Sequence, residues 1–242
     1  NIYMKKIKNR IFVDKKINSN DQIILDANQI HYLKSVLRTK KSDYVTVFNR
    51  EFLCLTKVIN ITKNTCELEI IDQKKIERED HNITLFFSPI KRTPLEIMIQ
   101  KCSEIGISIF QPVIMERTNM KNINFERLNL IAIEACEQSN RNKIPEINKP
   151  ILFTTMINDN SLAGYLYCSL DNNEEKIKNR KLTKNEAIGI IIGPEGDFSA
   201  KEYESLKSKK KSIGVTLGPN ILKSETAAIT ATSIIMDKIY NA

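Results

Sequence analysis

The sequence predicts an α/β protein in two parts: a small β-rich domain, then a larger domain with a mostly parallel sheet. Three observations carry that reading. Residues 11–72 contain short runs rich in β-branched and aromatic residues, which is a strand pattern. Residues 73–82, QKKIEREDHN, are nearly all polar or charged and suit a linker. From Ile83 onward strand-like and helix-like segments alternate, and such chains fold as a parallel sheet with helices on both faces. The boundaries are drawn at 1–74 and 83–242, with 75–82 as linker. A chain of 242 residues is long enough for two cores, and 41% hydrophobic with 27% charged residues excludes a disordered chain. Seven Gly and seven Pro exclude a collagen-like chain, and five Cys in this length exclude a disulfide scaffold.

In the first part, Gln22–Leu25, Tyr44–Phe48, Phe52–Ile59 and Thr65–Ile71 read as strands. One helix interrupts them, capped by Asp26, with Ile30, Leu33, Val36 and Leu37 as its apolar stripe. In the second part, Thr84–Ser88 reads as a strand. Thr93, Pro94 and Glu96 then read as N-cap, N1 and N3 of a capping box. Leu95, Met98, Ile99, Cys102 and Ile105 make that helix's buried face, and Gly106 ends it. Ile107–Met115 is a strand, and a helix from about Phe125 to Asn140 buries Leu128, Ile131, Ala135 and Cys136. Tyr165–Ser169, Ala187–Ile192 and Ile213–Leu217 are further strands; the second is apolar on both faces, as a central parallel strand is. Ser199 and Glu202 form another capping box, and a last helix opens at Ser224 or Glu225 and runs to about Tyr240.

Charge and cysteine usage bound the setting. Net charge is +8, and the first 16 residues hold Lys5, Lys6, Lys8, Arg10, Lys15 and Lys16 against one acid, Asp14. Clustered cations of this kind bind nucleic acid by releasing its counterions, so the segment reads as a phosphate-contacting arm, with a merely solvated terminus as the other reading. The run Lys207–Lys211, at a helix end, reads as a dipole complement and a solubility feature. The cysteines (54, 66, 102, 136, 168) form no Cys-x-x-Cys pair and read as buried apolar residues in a reducing cytosol, with no metal site. No secretory signal and no membrane-length apolar run is present, so a cytoplasmic protein is expected. His81, in the linker, is expected to be solvated, and His31 to be a packing or surface residue.

Two strand-end loops stand out. Ile192-Gly193-Pro194-Glu195-Gly196-Asp197 follows the central strand; its glycines allow a tight turn and close approach of a ligand, and Glu195 stands at the strand's carboxyl end. Leu217-Gly218-Pro219-Asn220-Ile221-Leu222-Lys223-Ser224-Glu225-Thr226 follows the last strand, placing apolar residues beside a polar helix start. Neither is a Walker loop or a Gly-x-Gly-x-x-Gly turn.

Taken together, Ile-Gly-Pro-Glu-Gly at 192–196 and Leu-Gly-Pro-x-Ile-Leu-x-x-Glu-Thr-Ala at 217–227 resemble the RsmE family, the 16S ribosomal RNA uridine-N3 methyltransferases of the SPOUT (α/β-knot) class. Arg10-Ile11-Phe12, His31 with Val36-Leu37-Arg38, Lys101 with Glu104-Ile105-Gly106, and Glu134–Arg141 with Pro145-Glu146-Ile147 are similar to further family blocks in the same order, so the likeness covers nearly the whole chain. The resemblance implies a PUA-like β-barrel for RNA binding, then a trefoil-knotted methyltransferase domain, a homodimer, and S-adenosylmethionine as methyl donor without a metal. It implies donor contacts from Ser169 and Leu170, from Ile192, Gly193, Pro194 and Gly196, and from Leu217, Gly218, Ile221, Leu222 and Thr226. With the basic arm, it points to RNA contacts from Arg10 and Arg38 beside Lys5, Lys6 and Lys8 of that arm, and it implies small ribosomal subunits as partner.

The chemistry of that reaction sets the roles. N3 of uracil is an imide N–H, a poor nucleophile until it loses its proton. The protein must align N3 with the methyl group, remove the proton and stabilise charge on O2 and O4. Arg10 and Lys223 are candidates for phosphate or uracil oxygens, and Glu195 or Glu225 for the proton or for positioning; Glu225 also suits a first-turn helix residue. Two positions depart from the family pattern. Asp197 replaces a Gly, which Asp tolerates in a left-handed turn, and Lys223 replaces an Arg, losing the planar fork. Rival readings are a related methyltransferase acting on another RNA position, and a non-catalytic RNA-binding assembly factor with a donor pocket weakened by Asp197.

Overall fold

The computed structural model describes residues 9–17, 22–77, 79, 81–119, 122–170, 175–177 and 186–241. The basic residues Lys5, Lys6 and Lys8 lie outside them. The chain divides into two compact units, Asn1–Arg78 with Cys136–Lys143, and Glu79–Ala135 with Ile144–Ala242. Nothing in the sequence marks 136–143 as belonging with the first unit.

The first unit is a curled five-stranded sheet. Its strands are β1 (Arg10–Phe12), β2 (Ile23–Ile24), β3 (Tyr44–Phe48), β4 (Phe52–Ile61) and β5 (Cys66–Lys75), in the order β1-β3-β4-β5-β2. β1 runs parallel to β3 and the other pairs are antiparallel. Two register shifts in the β4–β5 pair, at Leu55/Thr56 and Val58/Asn60, add the local twist that curls a sheet. Val45, Val47, Cys54, Val58 and Leu68 fill the inside together with Ile30 and Leu33 of the helix. That helix, α1 (Ala27–His31), is capped by Asp26 in a capping box with Gln29. It then widens into a π turn, Tyr32–Val36. The widening breaks the 3.6-residue period, so Val36, expected in the apolar stripe, is exposed instead.

β1 is an edge strand, and side chains of 136–143 satisfy it. Phe12 N–H donates to Glu137 Oε1 at 2.8 Å, and Arg10 Nη2 donates to Asn142 Oδ1 at 2.7 Å and to the Arg141 carbonyl at 3.4 Å. Gln138 Nε2 donates to Tyr32 Oη at 2.6 Å.

The second unit is built on an eight-stranded sheet in which every pairing is parallel. Its strands are β6 (Asn82–Phe87), β7 (Ile109–Ile114), β8 (Glu146–Ile147), β9 (Ile151–Leu152), β10 (Gly164–Cys168), β11 (Glu175–Lys176), β12 (Ala187–Ile192) and β13 (Ser212–Thr216). The order is β11-β13-β10-β12-β6-β7-β8, with β9 beside β7. β12 is thus inserted between β6 and β10, although it follows both in sequence. The helices are α2 (Arg92–Ile105), α3 (Phe125–Ser139), α4 (Phe153–Asn158), α5 (Ala200–Ser208) and α6 (Ser224–Tyr240). α6 packs on α2 and on β12, and Thr232 Oγ1 lies 3.7 Å from Cys102 Sγ in that seam. β12 is buried on both faces, as expected. Gly189 is required there, because a Cβ would come within 2.9 Å of the Phe86 ring and 3.0 Å of Tyr165.

Several local expectations are corrected. α2 starts at Arg92 with Lys91 as an N-cap lacking a side-chain bond, so Thr93 lies inside the helix and caps nothing. Gly106 does end it, at φ +139°. The polar stretch 73–82 is partly strand, since β5 reaches Lys75 and β6 begins at Asn82. His81 is buried, not solvated: Nε2 lies 3.0 Å from the Gly106 carbonyl and 3.5 Å from Glu79 Oε2, and the ring meets Tyr240 edge-on. Lys209, read as a solubility residue, is only 7% exposed; its ammonium donates to the Ile157 and Asp159 carbonyls and sits 4.1 Å over the Tyr165 ring. Among the described residues no helix is long and apolar enough to cross a membrane.

Candidate active site

In a parallel sheet all carboxyl ends lie along one edge, and ligands bind there. Here β10, β12 and β13 are neighbours, with β10 in the middle. The loops that follow them meet around a cavity of about 720 Å3, within the range of a small-molecule site.

The first wall comes from the end of β10: Cys168, Ser169 and Leu170. The second comes from the loop after β12. Ile192, Gly193, Pro194, Glu195 and Asp197 line the cavity. Asp197 N–H donates to the Pro194 carbonyl at 2.9 Å, closing the turn, and Asp197 takes φ +63°. Asp197 thus takes the left-handed conformation expected of this turn position. Its carboxylate accepts from Tyr203 Oη at 3.0 and 3.1 Å. Burial, with the Asp197 charge as a lesser cause, pushes the Tyr203 phenol above its ordinary value and keeps it a donor. Gly193 lies over Phe198, whose ring a Cβ would meet at 3.2 Å.

The third wall is the loop after β13: Leu217, Gly218, Ile221, Leu222 and Lys223, with Ser224 and Glu225 from the start of α6. Gly218 has φ +150°, where a side chain is strained. Ser224 Oγ donates to the Gly193 carbonyl at 3.2 Å, tying the two Gly-Pro turns together.

Of the expected donor contacts, nine line the cavity: Ser169, Leu170, Ile192, Gly193, Pro194, Leu217, Gly218, Ile221 and Leu222. Gly196 and Thr226 do not line it. Glu195, Lys223 and Glu225 do. Arg10 is placed otherwise. It lies in β1 of the first unit, 6% exposed, with its guanidinium 4.7 Å from the Phe48 ring centroid. Burial pulls its pKa below the usual arginine range, against the raising influence of Glu137. Arg38 is exposed and takes φ +53° just after the π turn.

Sequence reasoning missed three participants. Arg117, after β7, donates from Nη1 to the Gly196 carbonyl at 2.6 Å and to the Phe198 carbonyl at 3.4 Å, bracing the loop after β12 from outside. Lys91 and Cys168 also line the cavity. Desolvation pushes the Cys168 thiol up, favouring its neutral form on the cavity wall. Arg117 and Lys91 carry no local motif; only strand order brings them here. Among the described residues no cluster of His, Cys, Asp and Glu has the geometry to hold a metal ion.

Residues 77–236 match the model of an RNA methyltransferase domain, and residues 25–71 that of an RNA methyltransferase PUA domain. The chain is 35% identical to the ribosomal RNA small subunit methyltransferase E of Rickettsia conorii, over 92% of this chain and 93% of that protein. This chain belongs to the ribosomal RNA small subunit methyltransferase E family. The family relative from Buchnera aphidicola subsp. Schizaphis graminum is 31% identical over 97% of this chain and 98% of its own length. The family structure from Neisseria gonorrhoeae, bound to S-adenosyl methionine, superposes with a TM-score of 0.84 at 27% identity, covering 96% of this chain and 98% of that one. Family membership accounts for the two-part architecture, the PUA-like first unit and the parallel sheet of the second.

Proposed function

We propose that this chain transfers a methyl group from S-adenosylmethionine to N3 of a uridine in the 16S ribosomal RNA of the small ribosomal subunit. The observation that carries the proposal is the cavity at the ends of β10, β12 and β13, two of whose three walls are the Gly-Pro turns at 193–194 and 218–219. The residues present fit the donor. Leu217, Ile221 and Leu222 offer apolar faces for an adenine, and the turns at Gly193 and Gly218 bring backbone groups to the surface without a Cβ. Bound there, S-adenosylmethionine supplies a methyl group already activated by its sulfonium. Ser169, Leu170, Ile192 and Pro194 complete the set that lines the cavity, while Gly196 and Thr226 act only through the loops that carry them.

The chain's own groups do the rest. Glu195, exposed on the cavity wall, accepts the N3 proton. Lys223 balances the negative charge that then spreads onto O2 and O4. Glu225, in the first turn of α6, complements the helix dipole and orients Lys223. The domain 1–74 binds RNA through Arg38 and the basic residues Lys5, Lys6 and Lys8, and 83–242 is the methyltransferase domain. Arg10 acts through the segment it holds at Arg141 and Asn142, as a positioning residue for RNA binding. The protein works as a homodimer in the cytoplasm. Ile221, 82% exposed at the cavity rim, supports the dimer, since a second copy covering it would remove apolar surface from water.

The test is incubation with under-methylated small subunits and labelled donor, followed by nucleoside mass spectrometry. The expected product is 3-methyluridine. A 2′-O-methyl product would move the reaction to another RNA position. No product, with no binding of S-adenosylhomocysteine by calorimetry, would leave only RNA binding.

A further inference from the structure

β12 has β10 on one side and β6 on the other, so its loop borders two spaces along the sheet edge. The donor cavity lies on the β10 side. On the β6 side is a second, smaller cavity of about 110 Å3. Lys91, Pro194 and Glu195 line both. The second cavity is built from three strand ends: Pro89, Ile90 and Lys91 after β6, Arg117 and Asn119 after β7, and the shared pair after β12.

Its chemistry is divided. Pro89, Ile90 and Pro194 are buried and form an apolar base. Lys91, Arg117, Asn119 and Glu195 are exposed, so the cavity opens to solvent and is not a void in the core. Arg117 is already oriented, because Nη1 is held by the Gly196 carbonyl. A guanidinium has five N–H donors, and the bonds to Gly196 and Phe198 engage Nη1 alone. A buried apolar floor with two cations and an amide at its exposed rim suits one pyrimidine nucleotide: ring in the cavity against the prolines, phosphate outside it on Lys91 and Arg117, a base carbonyl on the Asn119 amide. Glu195 then faces the base edge nearest the donor.

We propose that this second cavity is the subsite for the target pyrimidine nucleotide, with Lys91 and Arg117 as its phosphate clamp and Asn119 as its base contact. The proposal rests on the methyl-transfer reading above and specifies where the acceptor sits. Pro194 and Glu195 stand between acceptor and donor, Lys91 borders both spaces, and Glu195 serves both.

The test uses the full-length protein saturated with S-adenosylhomocysteine and titrated with uridine 5′-monophosphate, read by NMR shifts. Asn119→Asp replaces the amide N–H donor with a carboxylate that repels the base carbonyl, and Lys91→Ala removes one clamp. Each is expected to lower the affinity for uridine monophosphate about tenfold or more, while Asn119→Asp leaves the calorimetric affinity for S-adenosylhomocysteine within about threefold. Retained S-adenosylhomocysteine binding also shows that the variant is folded. If the nucleotide affinity is unchanged in both variants, or if the loaded wild type shows no nucleotide-dependent shifts into the millimolar range, the subsite is wrong and the methyl-transfer reading stands. If the wild type binds no S-adenosylhomocysteine, both fall together.

Discussion

The hydroxyl of Tyr203 donates to both oxygens of the Asp197 carboxylate, 3.0 Å from Oδ2 and 3.1 Å from Oδ1. The pair holds a carboxylate at the wall of the cavity, in a left-handed turn position at φ +63°. Tyr203→Phe removes the donor and leaves a half-buried carboxylate poorly satisfied. We expect a loss of ~1–2 kcal/mol in urea unfolding and weaker binding of S-adenosylhomocysteine. Asp197→Gly in the Tyr203→Phe background is expected to restore binding, because it removes the stranded charge. A double variant no better than Tyr203→Phe alone would refute this account.

Gly218 tests the backbone alone. An added Cβ meets nothing within 4 Å, yet φ is +150°. Gly218→Ala therefore acts only by straining or reshaping the turn, at a cost of ~1–3 kcal/mol. Calorimetry is expected to show donor-analogue binding reduced with the melting temperature nearly unchanged, since the turn is exposed and can relax when empty. Full binding affinity in the variant would mean that the turn's conformation does not matter to the site.

Ser224→Ala cuts the tie between the two Gly-Pro turns at the Gly193 carbonyl. A single side-chain bond of this kind contributes ~0.5–1.5 kcal/mol. The expected signature is a donor affinity reduced several-fold with at most that much lost in stability. Stability lost with binding intact would make the bond a helix-start feature and nothing more.

The buried thiols set an alkaline limit. Burial pushes Cys54 up to about 11 and Cys102 up to about 12, from an ordinary 9.0. Their folded pKa values are raised, so above about pH 9 the unfolded chain loses protons that the folded chain keeps. The stability they contribute is complete below pH 9 and is lost as pH rises from there toward 12. Each thiol contributes a slope of up to ~1.4 kcal/mol per pH unit in that window. Urea midpoints measured at pH 8, 9 and 10 are expected to fall only above 9, and Cys102→Ala to flatten the fall. A flat midpoint through pH 10 would contradict the assignment.

Arg10→Ala removes the bonds to Asn142 and Arg141 and the contact over Phe48. It is expected to lower stability by ~1–3 kcal/mol and to weaken RNA binding and methyl transfer, leaving binding of S-adenosylhomocysteine intact. Unchanged turnover on small subunits would remove Arg10 from the function.

Much of this was legible one residue at a time. Asp26 and Ser199 cap their helices, and Gly106 ends one, because a cap is satisfied within four residues of chain. Ala187–Ile192 reads as a central strand because every side chain in it is apolar or small. Nine of the eleven expected donor contacts line one cavity because they sit on strand ends that the sheet brings together. Where local reading failed, a distant group intervened. Val36 was turned outward by the π turn, and His81 and Lys209 were drawn inside by carbonyls at Gly106, Ile157 and Asp159. A sequence pattern says that such side chains are polar; it does not say that a buried acceptor is waiting for them.

The sequence alone determined the element types, the two-part order and the ordered motif blocks that point to the family, since each depends on neighbours along the chain. The tertiary structure alone decided that β12 enters between β6 and β10, and so that Pro194 and Glu195 face two cavities and that Lys91 and Arg117 stand beside them. Strand order depends on which buried faces fit together across long crossovers, and no local spacing records that choice.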